Sequence, residues 1–107
     1  MVQPFVEDPF ENLEGFTTGQ VICTVVNQAF QLPPIPIPKN KQLVVKGLPG
    51  NTGWIWVGRT PAECQNLNVA YPLVMNEGIG LFIKDASRVW VMAAILNDGV
   101  AFIVEQI

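Results

Sequence analysis

Histidine is absent from this 107-residue chain. Its absence removes the imidazole of a Ser–His–Asp triad, His-ligated zinc and the usual general base near neutral pH. Cysteine occurs only at Cys23 and Cys64, too few for a four-cysteine zinc site within one chain. The pair allows one disulfide, but two free thiols buried as small hydrophobes is the simpler reading. Charge is scarce too: 14% of residues are Asp, Glu, Lys or Arg, and the formal net charge is −3. The six Lys and Arg stand singly, without the basic stripe that nucleic acid requires. The longest apolar run, Val89 to Leu96, is far too short to cross a bilayer. The opening Met-Val-Gln-Pro-Phe-Val-Glu-Asp-Pro has neither the basic start nor the apolar core of a secretory signal. We therefore expect a chain made in a cytoplasm, which stays there or enters an assembly formed there.

What is abundant is apolar matter, at 50% of residues in a chain the length of one compact domain. So little charge leaves an outside that an oligomer or a partner commonly covers. Residues 1–18 read as an extended arm. Pro4, Pro9 and Gly15 break any helix, and Glu7, Asp8, Glu11 and Glu14 make the segment acidic. Phe5, Phe10, Leu13 and Phe16 are too apolar for a solvated tail. They serve as anchors, either on the arm's own domain or on a neighbouring subunit.

Residues 19–107 read as a single β domain. Strands are expected at 20–26, 42–47, 54–58, 79–84, 89–96 and 100–105, with shorter pieces near 29–32 and 72–75. Turn residues separate them, ending in the Asn97-Asp98-Gly99 hairpin. The first strand puts Val21, Cys23 and Val25 on one face. Residues 59–71 read as a loop, and only 86–96 is compatible with a helix, where Val89, Val91 and Ile95 favour strand. Leu-Pro-Pro-Ile-Pro-Ile-Pro, residues 32–38, excludes a central strand. We read Ile35 and Ile37 there as plugs, with the prolines blunting a sheet edge. Recognition of this run by a proline-reading module is the weaker alternative. Short strands at this spacing indicate an antiparallel sandwich or jelly roll.

No cluster of catalytic type emerges. Glu77, Asp85 and Asp98 fall in turns, where acids cap and solvate. Cys64 lacks a histidine to activate it, and no glycine cluster forms a phosphate-cradling loop. We expect no enzyme, no cofactor and no metal site. The aromatics are more suggestive. Trp54 and Trp56 share one face of strand 54–58, with Ile55 and Val57 on the other. Inward Ile55 and Val57 would leave the tryptophans outside to grip a subunit or a ligand; the reverse makes them core. A core or subunit-interface role is favoured over a sugar platform, because Trp is enriched in buried contacts. Strand 89–96 has no polar face at all, so an arm, a loop or another chain must cover it.

The order of motifs between Leu43 and Val104 resembles the small phage capsid decoration (cement) and head-fibre-like virion proteins. The resemblance is carried by three blocks. The first is Val-Val-Lys-Gly-Leu-Pro-Gly-Asn-Thr-Gly-Trp-Ile-Trp-Val-Gly at 44–58. The second joins Tyr71-Pro72-Leu73 to Asn76-Glu77-Gly78-Ile79. The third joins Asp85-Ala86-Ser87-Arg88-Val89-Trp90-Val91 to Asp98-Gly99-Val100. Glu77-Gly78 reverses the family-like Gly-Glu order, and the acidic arm and proline run are particular to this chain. The resemblance implies a jelly-roll-like β-sandwich, so that the expected fold is an all-β, jelly-roll-like antiparallel β-sandwich to which this chain adds its own extended N-terminal arm. It implies a non-enzymatic virion protein that binds the major capsid protein and stabilises the shell of a tailed phage. Homo-oligomers, trimers first, are implied with it, and localisation to the virion after assembly in the host cytoplasm. Phe5, Phe10, Phe16, Ile35, Ile37, Trp54 and Trp56 are the interface candidates. The competing expectation is a carbohydrate- or receptor-binding module of a fibre or tail, gripping its ligand with Trp54 and Trp56.

Overall fold

The computed structural model describes residues 16–106. Strand 3 shows how sequence becomes sheet. Along β3 (Lys41–Gly47), Leu43, Val45 and Gly47 are buried, while Gln42, Val44 and Lys46 lie on the other face. That two-residue alternation turns one side of a strand to the core. The same rule places Val100, Phe102 and Val104 of β8 (Gly99–Gln106) inward, with Ile55 and Val57 of β4 (Ile55–Gly58) facing them.

Eight strands form two antiparallel sheets of four. The others are β1 (Thr17–Ile22), β2 (Phe30–Gln31), β5 (Tyr71–Leu73), β6 (Gly78–Leu81) and β7 (Trp90–Ala93). One sheet has the order β1-β8-β3-β6 and the other β2-β7-β4-β5. The first strand thus pairs with the last, the second with the seventh, the third with the sixth and the fourth with the fifth. The protein is a β-sandwich, as its strand-and-turn pattern predicts. Its core is a continuous cluster including Leu32, Leu43, Val45, Ile55, Leu73, Val91 and Val100. Each such aliphatic side chain, fully buried, contributes roughly 1.5–3 kcal/mol.

The proline run crosses between the sheets beside the segment leading into β7. Leu32 N–H donates to Val89 O, Ala86 N–H to Ile35 O and Ile37 N–H to Lys84 O. Ile37 is a core residue, 8% exposed, and Ile35 packs against the same core. Ile37 therefore plugs its own domain and leaves almost nothing for a partner.

Several expectations change. The sheet claims Thr17 and Thr18, two residues assigned to the arm, because Thr17 pairs with Val104. The first strand ends at Ile22, so Val25 has no strand neighbours and is exposed. Residues 59–71 contain a short helix, α1 (Pro61–Gln65). Thr60 caps it by accepting from Glu63 N–H at 3.1 Å, and Pro61 occupies its first turn, where a missing N–H costs nothing. Ala86–Arg88 is a 3-10 turn capped by Asp85. The seventh strand is accordingly four residues long, and Ile95 and Leu96 leave the ladder.

Helix α1 also resolves the strand without a polar face. Val91 and Ala93 of β7 point into the core, while Met92 points outward and is still only 5% exposed. Helix α1 packs on β4 and β7 from that side. Gly58 lets it approach: a Cβ there would lie 2.9 Å from both Cys64 N and Glu63 Cβ. The cover that the sequence demanded for β7 comes from within the chain.

Two measurements probe this packing. Gly58→Val forces α1 off the sheet and is expected to lower stability by about 1–3 kcal/mol, read as a fall in urea midpoint. Cys23 and Cys64 are free and buried. Burial pushes both thiols up to about 11, with the Asp98 carboxylate adding to the effect at Cys23. A folded-state value raised above the usual 9.0 means stability is intact below pH 9 and declines as pH climbs toward 11. A thiol reagent at neutral pH should leave the folded chain unmodified and label both sites in denaturant.

Candidate functional site

Four loops meet at one end of the sandwich: 23–29, 48–54, 74–77 and 94–98. Backbone hydrogen bonds tie them together, from Cys23 N–H to Asp98 O, Asn97 N–H to Cys23 O, Leu48 N–H to Gly99 O and Asn76 N–H to Gly47 O. Three of them turn on an asparagine with positive φ, Asn27, Asn76 and Asn97. Asparagine tolerates that left-handed region better than most side chains.

Two buried polar side chains hold this end. Asn51 Nδ2 donates to Gly99 O at 2.8 Å, and Asn51 Oδ1 accepts from Gly99 N–H at 2.9 Å. The amide thus imitates a strand neighbour and clamps loop 48–54 to the last hairpin. Asp98 reaches the other way. Its carboxylate accepts from Thr52 N–H at 3.2 Å and Gly53 N–H at 2.8 Å. With no Cβ, Gly99 can sit against the Val21 carbonyl and Ile22 Cα.

On this frame sits an apolar surface. Val25, Val26, Trp54, Val74, Met75, Ile95 and Leu96 are all exposed. Only two charges fall in the four loops. Asp98 is buried, and Glu77 is turned onto Val74 N–H, from which it accepts at 3.0 Å. Strand direction places Lys39, Lys41, Arg59, Lys84 and Arg88 at the opposite end, while Lys46 is exposed on the outer face of β3 just before loop 48–54. An exposed apolar end with few charges is the candidate site, since contiguous apolar patches are where proteins commonly meet partners.

Trp54 and Trp56 lie at its margin. Ile55 and Val57 point inward, so both tryptophans stand outside, which sets aside the core alternative. Trp54 is 50% exposed and Trp56 half-buried. Their ring centroids are 5.5 Å apart and their planes tilted by 41°, within the distance range of favourable aromatic pairs. Trp56 lies between Pro72 and Met92 in register, and Trp54 stands just before the strand begins at Ile55. Helix α1 covers the outer face near Gly58 and leaves the Trp54 end open.

The other interface candidates do not join this surface. Phe16 is 63% exposed beside Thr17, at the far end of the sandwich. Ile35 and Ile37 belong to the core and its edge, and Phe5 and Phe10 lie outside the described residues. Sequence reading missed Val25, Val26, Ile95 and Leu96 as surface, because it placed them within longer strands. Among the described residues, no three or more His, Cys, Asp or Glu side chains gather as a metal site, and no helix is long and apolar enough to cross a membrane. No protein-family model, curated protein or solved structure matches the chain.

The loop frame is directly testable. Asn51→Ala leaves the Gly99 N–H without its partner in a buried place, while the Gly99 carbonyl keeps Leu48 N–H, a cost of about 1–3 kcal/mol. Asp98→Ala should cost a similar amount by orphaning Thr52 and Gly53 N–H. Both losses are measured as urea-midpoint shifts, and Asp98→Asn, which keeps one acceptor oxygen, should recover part of the second.

Proposed function

We propose that this protein is a virion structural protein, a capsid decoration protein that docks on the major capsid shell of a tailed phage and stabilises it without catalysis. The observation that carries the reading is the rigid, nearly uncharged apolar loop end around Trp54. Such a surface favours a protein partner, since it offers neither the cations nor the hydrogen-bonding groups that nucleic acid or a polar substrate would need. The order of motifs from Leu43 to Val104 supplies the virion context. The nested strand pairing, first with last and inward to fourth with fifth, is how a jelly roll is wound, and we read the sandwich as one. In this reading the partner surface exists only on the assembled shell, so each bound copy stabilises the shell by mass action. Copies assemble as homo-oligomers, trimers first, in the host cytoplasm and remain in the virion.

One observation favours a second reading. Trp54 and Trp56 stand outside as a tilted pair, and exposed aromatic faces stack on sugar rings. A carbohydrate- or receptor-binding module of a fibre or tail would use the same two residues.

One experiment separates the two. Heads assembled without the protein are expanded, and the purified chain is added. The chain is expected to co-sediment with the heads and raise their melting temperature. Trp54→Ser together with Leu96→Ser should keep the urea midpoint within about 0.5 kcal/mol, as exposed substitutions do, yet abolish co-sedimentation. A chain that remains a monomer by native mass measurement and ignores heads overturns the decoration reading. Tryptophan fluorescence that shifts with glycans and not with heads establishes the second.

A further inference from the structure

We propose that the acidic segment 1–15 of this chain docks in its own body, in an open cleft at the end of the sandwich away from the apolar loops. This inference stands apart from the function proposed above and does not depend on it.

The cleft, about 1130 Å³, lies between the sheets along the edge formed by β6 and β5. Both edge strands are short, and they leave the core uncovered there. Ile79 and Leu81 sit on the inward face, opposite Val45 and Leu43, yet are only partly buried. With Val57, Ile83 and Val89 they form an apolar wall, and three cations, Arg59, Lys84 and Arg88, stand around it with one acid, Glu63.

Charge identifies the occupant. Four of the nine acidic residues, Glu7, Asp8, Glu11 and Glu14, fall within residues 1–15, which contain no Lys or Arg. The other five acids face all six cations, so the body carries a formal +1 and the net acidity belongs to the segment. The body's acids offset the cleft's cations only in part: Glu63 lines the cleft beside Arg59, and Asp85 lies close enough to Arg88 to feel its charge. Glu63 is held by Arg59 at 2.7 Å, and Asp85 accepts from both the N–H and the hydroxyl of Ser87. Asp98 and Glu77 are engaged in the loops at the far end, and Glu105 accepts from Gln42. Among the described residues, Lys84 and Arg88 make no ion pair. Phe5, Phe10 and Leu13 alternate with the four acids, which matches an apolar wall with a cationic rim.

Reach favours the chain's own segment over that of a second copy. Thr17 lies in one row with Val104, Leu43 and Leu81, so the segment begins three strand spacings, about 14 Å, from the cleft wall. Fifteen residues span up to about 50 Å when extended. A tether of that length holds its segment at roughly millimolar effective concentration.

A spin label on Gln3→Cys in the full chain tests this, since both native thiols are buried. In dilute solution the label is expected to broaden the amide signals of Ile79, Leu81, Ile83 and Val89. Lys84→Glu with Arg88→Glu should abolish the broadening. Adding Glu7→Lys and Glu11→Lys to that double variant should restore it, which separates charge pairing from damage to the fold. Broadening that is absent, centred on the Trp54 loops, or unchanged by the charge reversal overturns the proposal. So does broadening seen only between copies, in a mixture of labelled chains with isotope-labelled, spin-free ones.

Discussion

The order of the apolar loop end depends on the side chain of Asn51. Its amide pairs with both backbone groups of Gly99, binding a loop between two early strands to the last hairpin of the chain. Asp98, one residue earlier, binds Thr52 and Gly53 in return. The two interactions interlock over a sequence separation of more than forty residues. Loops normally owe their order to neighbours in sequence; these owe it to buried side chains that would be costly to leave unpaired. Their strength lets the surrounding positions be apolar and exposed. A floppy loop bearing Ile95, Leu96 or Trp54 would fold its side chains inward or invite aggregation. Held as they are, the same residues form a fixed surface on which a partner can bury area without first ordering it.

The seventh strand shows how a local pattern can be read correctly and its consequence misassigned. Val91, Met92 and Ala93 give it two apolar faces, and a strand of that kind must be covered on both. The cover is helix α1, a single turn that the 3.6-residue apolar period is too short to reveal. Its signal was nevertheless present in Thr60-Pro61-Ala62-Glu63, where a cap, a first-turn proline and an acid three residues after the cap mark a helix start. The covered strand therefore gives no independent reason to expect an outside partner. That reason moves to the loops, where residues expected in strands lie exposed.

Strand positions and the inward faces of β3, β4 and β8 were legible because a two-residue period survives wherever one side meets the core. Trp54 and Trp56 were legible as a pair but not in direction, since both sides of that strand are apolar and register alone decides which turns inward. Ile55 and Val57 take the inside together with Ala93 and Val91, their buried partners in register. The loop frame was not legible. Asn51 and Asp98 look like ordinary turn residues, and nothing in their local sequence announces that each pairs with the loop that holds the other.

The placement of charge joins these features into one molecule with two unlike ends. Five of the six cations gather where β3 begins and β4 and β6 end, and the apolar loops occupy the other pole, with Lys46 the one exposed cation beside them. Coulomb attraction over the length of such a domain is weak in salt water, so each end attracts its own class of partner nearly independently. A neutral apolar pole gains from contact with a surface that is dry and shaped to fit, and gains nothing from charge. A cationic pole lined by Ile79, Leu81 and Ile83 gains most from a segment that brings carboxylates and aromatic rings together. The chain's own first fifteen residues combine four carboxylates with Phe5, Phe10 and Leu13, and carry no Lys or Arg.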